Sequence, residues 1–238
     1  MRGVTVTIER RFNGPPGSGH GGWSAGLSAG CVDAACAQVT LRSPPPLATP
    51  LAVSKAGGGG AVALHAGDTL VMEAEPATLD LDPPAPVEPD VAAAASAQFA
   101  WAHGHPFPGC FGCGPDRDPA DALRLFCGPV GDGRFAVPWT PAPWTGTDVV
   151  APGYVWAALD CPSSAPVHGS IAAPIVLGRL TVALEAPVAV GAPHVIQSWL
   201  EEAEGRRRTC GVALFDAAGA RLAAGRAVWI ELARPLGA

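Results

Sequence analysis

Val4 to Ile8 alternates β-branched residues and predicts a strand. Residues 13–22 are rich in breakers (Asn-Gly-Pro-Pro-Gly-Ser-Gly-His-Gly-Gly) and predict a loop. Trp23–Val32 is small and apolar and predicts a helix, with Gly26 and Gly30 letting it lie close against a sheet. Four strands are expected next, at Ala37–Leu41, Leu51–Ser54, Ala61–His65 and Thr69–Glu75, with turns at Gly57–Gly60 and Ala66–Asp68. Residues 76–90 are rich in Pro and Asp and read as a linker, and the alanine-rich Val91–Trp101 as a short helix. After a loop holding Cys110 and Cys113, Leu123–Cys127 and Arg134–Val137 read as strands, joined by a turn at Gly128–Gly133. The last strands are expected at Leu177–Leu184, His194–Glu202, Arg207–Asp216 and Arg221–Leu232.

Between these lies Val149–Pro162, read as a helix that Pro152 starts and Pro162 ends. Val155, Leu159 and the neighbouring alanines form an apolar stripe. Asp160 falls in the expected last turn, where the helix dipole disfavours a carboxylate. A charge placed against the local preference is either a satisfied structural acid or a functional one. Gly153 stands seven residues earlier, about two turns away and on nearly the same face.

The two halves share an order: a leading strand, a Gly/Pro loop, one apolar helix, then four strands. Val39-Thr40-Leu41 before Pro44-Pro45-Pro46-Leu47 is echoed by Leu180-Thr181-Val182 before Pro187-Val188. A period near half the chain argues for duplication. The expected division is an N-terminal unit at 1–75, a linker at 76–102 and a C-terminal unit at 103–238.

Composition narrows the function classes. Apolar residues make up 48% and charged residues 15%, which supplies a core and argues against disorder. A net charge of −6 argues against general nucleic-acid affinity, and Arg206-Arg207-Arg208 reads as a solvated turn. No apolar run reaches membrane-spanning length and the first residues lack a signal-peptide core, so no membrane partner and a cytoplasmic location are expected. The odd count of seven cysteines then reads mostly as free thiols.

Cys110-Phe111-Gly112-Cys113-Gly114-Pro115, followed by Ala122-Leu123-Arg124-Leu125-Phe126, resembles the entry of hotdog proteins of the phenylacetyl-CoA thioesterase type. That family carries a Cys-x-x-Cys-Gly turn, a Gly-Leu-x-Leu-x-Phe strand, a His-Gly-Gly at the helix start and an Asp in the helix. Here the second half keeps the turn, the strand and Asp160, but has Ala151-Pro152-Gly153 for the His-Gly-Gly. The first half has His20-Gly21-Gly22, but Ala29 at the position matching Asp160. The resemblance implies an α+β fold of two hotdog domains, each a curved antiparallel sheet wrapped around one helix.

It also implies one composite site, for hydrolysis of an acyl-CoA or acyl-carrier thioester. Gly21 and Gly22 would offer N–H groups to the thioester oxygen, Asp160 would be general base or nucleophile, and His20 would orient the loop. The opposite site, at Gly153 and Ala29, would lack its carboxylate, and Asp33 lies a further turn away. Trp23, Tyr154, Trp156 and Gly153 are expected near an acyl pocket, though core packing explains the aromatics equally. Arg124 and Arg179 are weak candidates for a nucleotide phosphate.

Cys110 and Cys113, with His103 and His105 upstream, have zinc-like spacing, yet Gly112, Gly114 and Pro115 already account for a tight turn. The pair is therefore expected to be structural, with neither metal nor cofactor. A homodimer is one expected assembly. The alternatives are an acyl-thioester binding protein without activity, a double-hotdog hydratase, for which Gly67-Asp68 lacks the rest of its motif, and a zinc-stabilised interaction module.

Overall fold

The computed structural model describes residues 4–171 and 173–233. Among them β1 (Thr5–Thr7) leads to α1 (Gly21–Ala29), then β2 (Cys36–Leu41), β3 (Pro50–Lys55), β4 (Val62–Ala66) and β5 (Thr69–Pro76). After α2 (Pro89–Ser96) come β6 (Gly128–Gly131), β7 (Arg134–Trp139) and α3 (Pro152–Ser164). The chain ends with β8 (Ile175–Leu184), β9 (His194–Glu204), β10 (Arg207–Asp216) and β11 (Arg221–Glu231).

All eleven strands join one antiparallel sheet, in the order β1-β3-β4-β5-β2-β8-β11-β10-β9-β7-β6. The order is nearly symmetric about the β2–β8 pairing, where Cys36 to Thr40 run opposite Ala183 to Arg179. On each side a three-strand meander closes back on the strand that follows the helix. That pairing leaves neither β2 nor β8 with an open edge at the centre. α1 packs on β2 and β5, α3 packs on β8 to β11, and the two helices pack on each other. Among the described residues no helix is long and apolar enough to cross a membrane.

Three sequence expectations need correction. Leu123–Cys127 is not a strand of the sheet, and the expected turn at Gly128–Gly131 is β6, paired with β7. The alternation was real, since Leu125 and Cys127 are buried. Arg124, however, takes a positive φ of 52°, and the N–H groups of Leu123 and Leu125 bond to Phe111 and Gly112 in the cysteine turn. The partner is a loop, not a strand.

Pro162 does not end α3, which runs to Ser164 and continues as a 3₁₀ turn over Ala165–Ser170. A proline inside a helix removes one ladder bond and strains the preceding turn. Carbonyls farther along are held by hydroxyls: Ser163 donates to the Asp160 carbonyl, Ser164 to that of Cys161, and Ser198 to that of Pro162. Asp160 therefore lies before the last turn, and the dipole has less hold on it than expected.

Gly22 and Gly26 of α1 face α3 rather than the sheet. A Cβ on Gly22 would stand 2.5 Å from the Asp160 Cβ and 2.6 Å from the Trp156 carbonyl oxygen. One on Gly26 would stand 2.9 Å from the Trp156 Cβ and 3.0 Å from the Gly153 Cα. Glycine at positions 22 and 26, one turn apart, is what lets the helices touch backbone to backbone. We expect Gly26→Leu to lower unfolding free energy by about 1–3 kcal/mol, because overpacking here exceeds the ~1 kcal/mol that helix propensity returns. Gly30→Ala, whose Cβ would meet only the Leu27 and Gly26 carbonyls at ordinary contact distance, 3.5 and 3.6 Å, at a negative φ of −63°, should be neutral or slightly stabilising. Urea unfolding of the two variants separates the effects.

Candidate active site

α1 begins at Gly21 and not at Trp23, because His20 is its N-cap. The His20 Nδ1 accepts the Trp23 N–H at 3.2 Å, as a Ser or Asp oxygen would at an ordinary cap. Accepting that bond requires an unprotonated Nδ1, so the proton of the neutral ring sits on Nε2. His20 is fully buried, and its Nε2 lies 3.4 Å from Asp160 Oδ2 and 3.2 Å from Cys161 Sγ. Burial pulls the His20 pKa down, and the Asp160 carboxylate and Cys110 outweigh it, so the net shift is upward. The cap still requires the neutral ring, because protonating Nδ1 would set two donors against each other.

Asp160 reaches this point from α3. It is 2% exposed, and its Oδ2 accepts the Gly22 N–H at 2.6 Å. Its Oδ1 is buried without a hydrogen-bond partner among the described residues. Burial raises the Asp160 pKa; the charge of His20 and the Gly22 N–H oppose it only in part. Gly22 therefore does not offer its N–H to a ligand, contrary to the sequence reading, because Asp160 already holds it. Gly21 is different. It occupies the first helical position, where the N–H has no intrahelical acceptor.

His20, Gly21 and Asp160 lie in the wall of a cavity of about 650 Å³. The rest of the wall is mostly apolar: Pro15, Pro45, Phe107, Trp101, Ile175, Leu177 and Trp229 contribute, with Arg42, His105, His168, Ser164 and the three cysteines Cys110, Cys113 and Cys161 among the polar exceptions. The size and character suit a medium-sized apolar group with a few polar anchors.

The four residues expected at an acyl pocket lie elsewhere. Trp23 stacks on Phe12 at 3.6 Å and meets Tyr154 at 4.7 Å between ring centres. It also lies 3.3 Å from where a Cβ of Gly153 would be, so it covers the start of α3. Trp156 is buried in the helix–helix contact. Trp23 and Tyr154 thus belong to an aromatic packing cluster that covers Gly153, with Phe111 at its edge, Trp156 packs between the helices, and none of the four lines the cavity. Arg124 bonds to carbonyls of its own loop and Arg179 to Thr40, which leaves neither poised for a phosphate.

Sequence reasoning missed Cys161, Ser164 and His168. Cys161 follows Asp160 directly, but its place before Pro162 carries no signal of a site. Ser164 and His168 pair at 2.8 Å and look like a nucleophile and its base. The Ser164 hydroxyl, however, donates to the Cys161 carbonyl at 2.7 Å, so it accepts from the imidazole and is not activated.

The cysteine turn is fastened to the loop before α1. Phe111 N–H donates to the Asn13 carbonyl, Asn13 Nδ2 to that of Gly109, and Arg117 to Asn13 Oδ1 at 2.6 Å. This brings Cys110 beside Cys161, their sulfurs 3.8 Å apart, and beside His20. His20 Nε2, Cys110 Sγ and Cys161 Sγ all lie within 4.8 Å of one another. Cys113 Sγ stands 3.3 Å from His105 Nε2. His103, the other upstream histidine, is exposed and not in the group.

His168 gives a pH prediction. Burial, assisted by His105, lowers its pKa to about 4. The unfolded chain binds this proton from about pH 6.5 downward while the folded chain refuses it, so stability falls as pH drops through that window. At about 1.4 kcal/mol for each pH unit of the window, the loss should reach at most about 3 kcal/mol near pH 4. His168→Gln should lack that component, as urea unfolding of both proteins at about pH 7 and about pH 4.5 will show.

No family profile matches the chain, and no curated protein sequence matches it. Solved structures do. The tesB protein of Mycobacterium avium subspecies paratuberculosis aligns over 96% of this chain and 92% of its own, at 13% identity and a TM-score of 0.62. A protein assigned to the thioesterases from Novosphingobium aromaticivorans aligns over 96% and 94%, at 16% identity and a TM-score of 0.63. One assigned as a thioesterase II from Thermobifida fusca aligns over 97% and 93%, at 14% identity and a TM-score of 0.63. At such identities the likeness speaks for the fold. With the two helix-bearing halves of its sheet, the chain is a double hotdog, the α+β fold of these thioesterase-superfamily structures.

Proposed function

We propose that the chain hydrolyses an acyl thioester of the acyl-CoA type at the cavity wall where Gly21 meets Asp160. The observation that carries this reading is the buried Asp160, whose Oδ1 has no hydrogen-bond partner among the described residues, in the same cavity wall as Gly21 at the start of α1. Oδ1 takes a proton from a water, which adds to the thioester carbonyl carbon. The carbonyl oxygen gains negative charge and accepts the Gly21 N–H at the positive end of α1. The C–S bond then breaks, and the departing thiolate receives the proton that Asp160 took. The Gly22 N–H holds Oδ2, which leaves Oδ1 as the oxygen open to act as base. A raised pKa makes the carboxylate a stronger base than one in water.

The apolar cavity supports a medium-sized acyl group, and the name thioesterase carried by structures of the same fold supports the thioester class. A cytoplasmic setting and a homodimer remain part of the reading.

Two substitutions test it with acyl-CoA turnover measured beside thermal melting. Asp160→Asn, nearly isosteric, should melt like wild type and lose turnover by about 100-fold or more. Gly21→Pro deletes one N–H at a position where proline suits the helix and where His20 before it is already extended (ψ 127°). It should cost about 100- to 1000-fold in turnover, while Gly21→Ala, with the same added Cβ but its N–H intact, should cost far less. Turnover by Asp160→Asn at the wild-type rate rejects the mechanism. Saturable binding of acyl-CoA with no hydrolysis by wild type would replace it with the binding-protein reading.

A further inference from the structure

We propose that the thiols of Cys110, Cys113 and Cys161 and the Nε2 of His20 bind one zinc ion, which ties the cysteine turn to α3 and to the start of α1. This reverses the sequence-based expectation that Cys110 and Cys113 only shape a turn. What changes the reading is the arrival of two further donors from far along the chain.

Zinc in structural sites is held tetrahedrally by cysteine sulfurs and histidine nitrogens at about 2.3 and 2.0–2.1 Å, so two thiolates on one ion stand roughly 3.8 Å apart. Cys110 and Cys161 stand 3.8 Å apart, and His20 Nε2 is 3.2 Å from Cys161 Sγ. Cys113, on the same turn, stands outside the group that distance defines, with its Sγ 3.3 Å from His105 Nε2, and a rotation of its side chain brings it in as the fourth donor. The Cys-x-x-Cys-Gly turn is compact enough to aim both of its sulfurs inward. A Cβ on Gly114 would stand 2.5 Å from the Cys110 nitrogen, and the Gly114 N–H donates to the Cys110 carbonyl at 2.9 Å. Gly112 lies against the other two donors, where a Cβ would come 2.5 Å from His20 Nε2 and 2.6 Å from Cys161 Sγ. Glycine there lets the turn close over the group. The Asp160 carboxylate adds negative charge next to it.

Binding has a cost that the geometry defines. Ligation through Nε2 moves the ring proton of His20 to Nδ1 and gives up the Trp23 N–H bond at 3.2 Å. One hydrogen bond is small against the affinity of a thiolate-rich zinc site. The three thiols lose their protons as the metal enters, so uptake releases acid.

The test reads metal, not hydrolysis, so its failure is distinct from failure of the thioesterase reading. The full chain, expressed with zinc in the medium and purified under reducing conditions without chelator, should carry one zinc by elemental analysis. Exchange for cobalt(II) should produce thiolate-to-cobalt charge-transfer absorption and the visible bands of a tetrahedral ion. Cys161→Ser should weaken cobalt binding by roughly tenfold or more and reduce the charge-transfer band. Cys127→Ser, a buried thiol outside the group, should change neither. Should Cys161→Ser be insoluble, Cys113→Ser gives the same reading. His20→Gln should keep the thiolate band and shift the visible bands. A wild-type chain that holds no zinc and takes up no cobalt overturns the proposal. So does metal bound equally well by the Cys161 and Cys113 variants, and visible bands unmoved in His20→Gln remove His20 from the ligand set.

Discussion

The hydrogen bond from the Gly22 N–H to Asp160 Oδ2, 2.6 Å long and fully buried, is the contact on which the centre of this molecule depends. It joins the first turn of α1 to the second half of α3. It forms only because Gly22 has no side chain, since a Cβ there would fall on the Asp160 Cβ and the Trp156 carbonyl. A buried carboxylate is expensive unless it is hydrogen-bonded, and this bond meets that need on one oxygen, with the His20 ring 3.4 Å away. The other oxygen is left without a protein partner among the described residues. Close helix packing and a tolerated buried carboxylate in the cavity wall therefore share one cause.

The same packing makes the two helix starts unlike. At α1 the backbone opens on the cavity, with Gly21 in its wall. At α3, Pro152 replaces one N–H, and Trp23 lies over Gly153 as part of a cluster with Phe12, Tyr154 and Phe111. Aromatic burial stabilises the side that has lost its opening. The near-symmetric sheet carries an asymmetric interior.

The loop at 105–125 contributes to both. Phe111, with no exposed surface, wedges between His20 and the aromatic cluster, and Arg117 and Asn13 fasten the loop across the pre-helix segment. Cys110 and Cys113 are carried by it to the cavity wall. A long irregular segment inside a compact fold needs such anchoring, because its backbone groups must find partners.

Local patterning was enough to reveal most strands, both main helices, the repeated order of the halves and the oddity of Asp160 on an apolar helix. Those features depend on neighbours within a few residues, which period and breaker residues report directly. Partners lay beyond that range. The alternation of Leu123–Cys127 recorded burial, but only the fold decided that its backbone would pair with the cysteine turn. Pro162 carried a stop signal, and the packing of α3 against α1 and the sheet overrode it. The glycines of α1 marked a close approach without saying that α3 would fill it. His20 and Cys161 are 141 residues apart, and nothing in their local sequence says that they meet at 3.2 Å. Short-range periodicity specifies which face is buried; which groups share that burial is set by chain topology, through contacts that no local window contains.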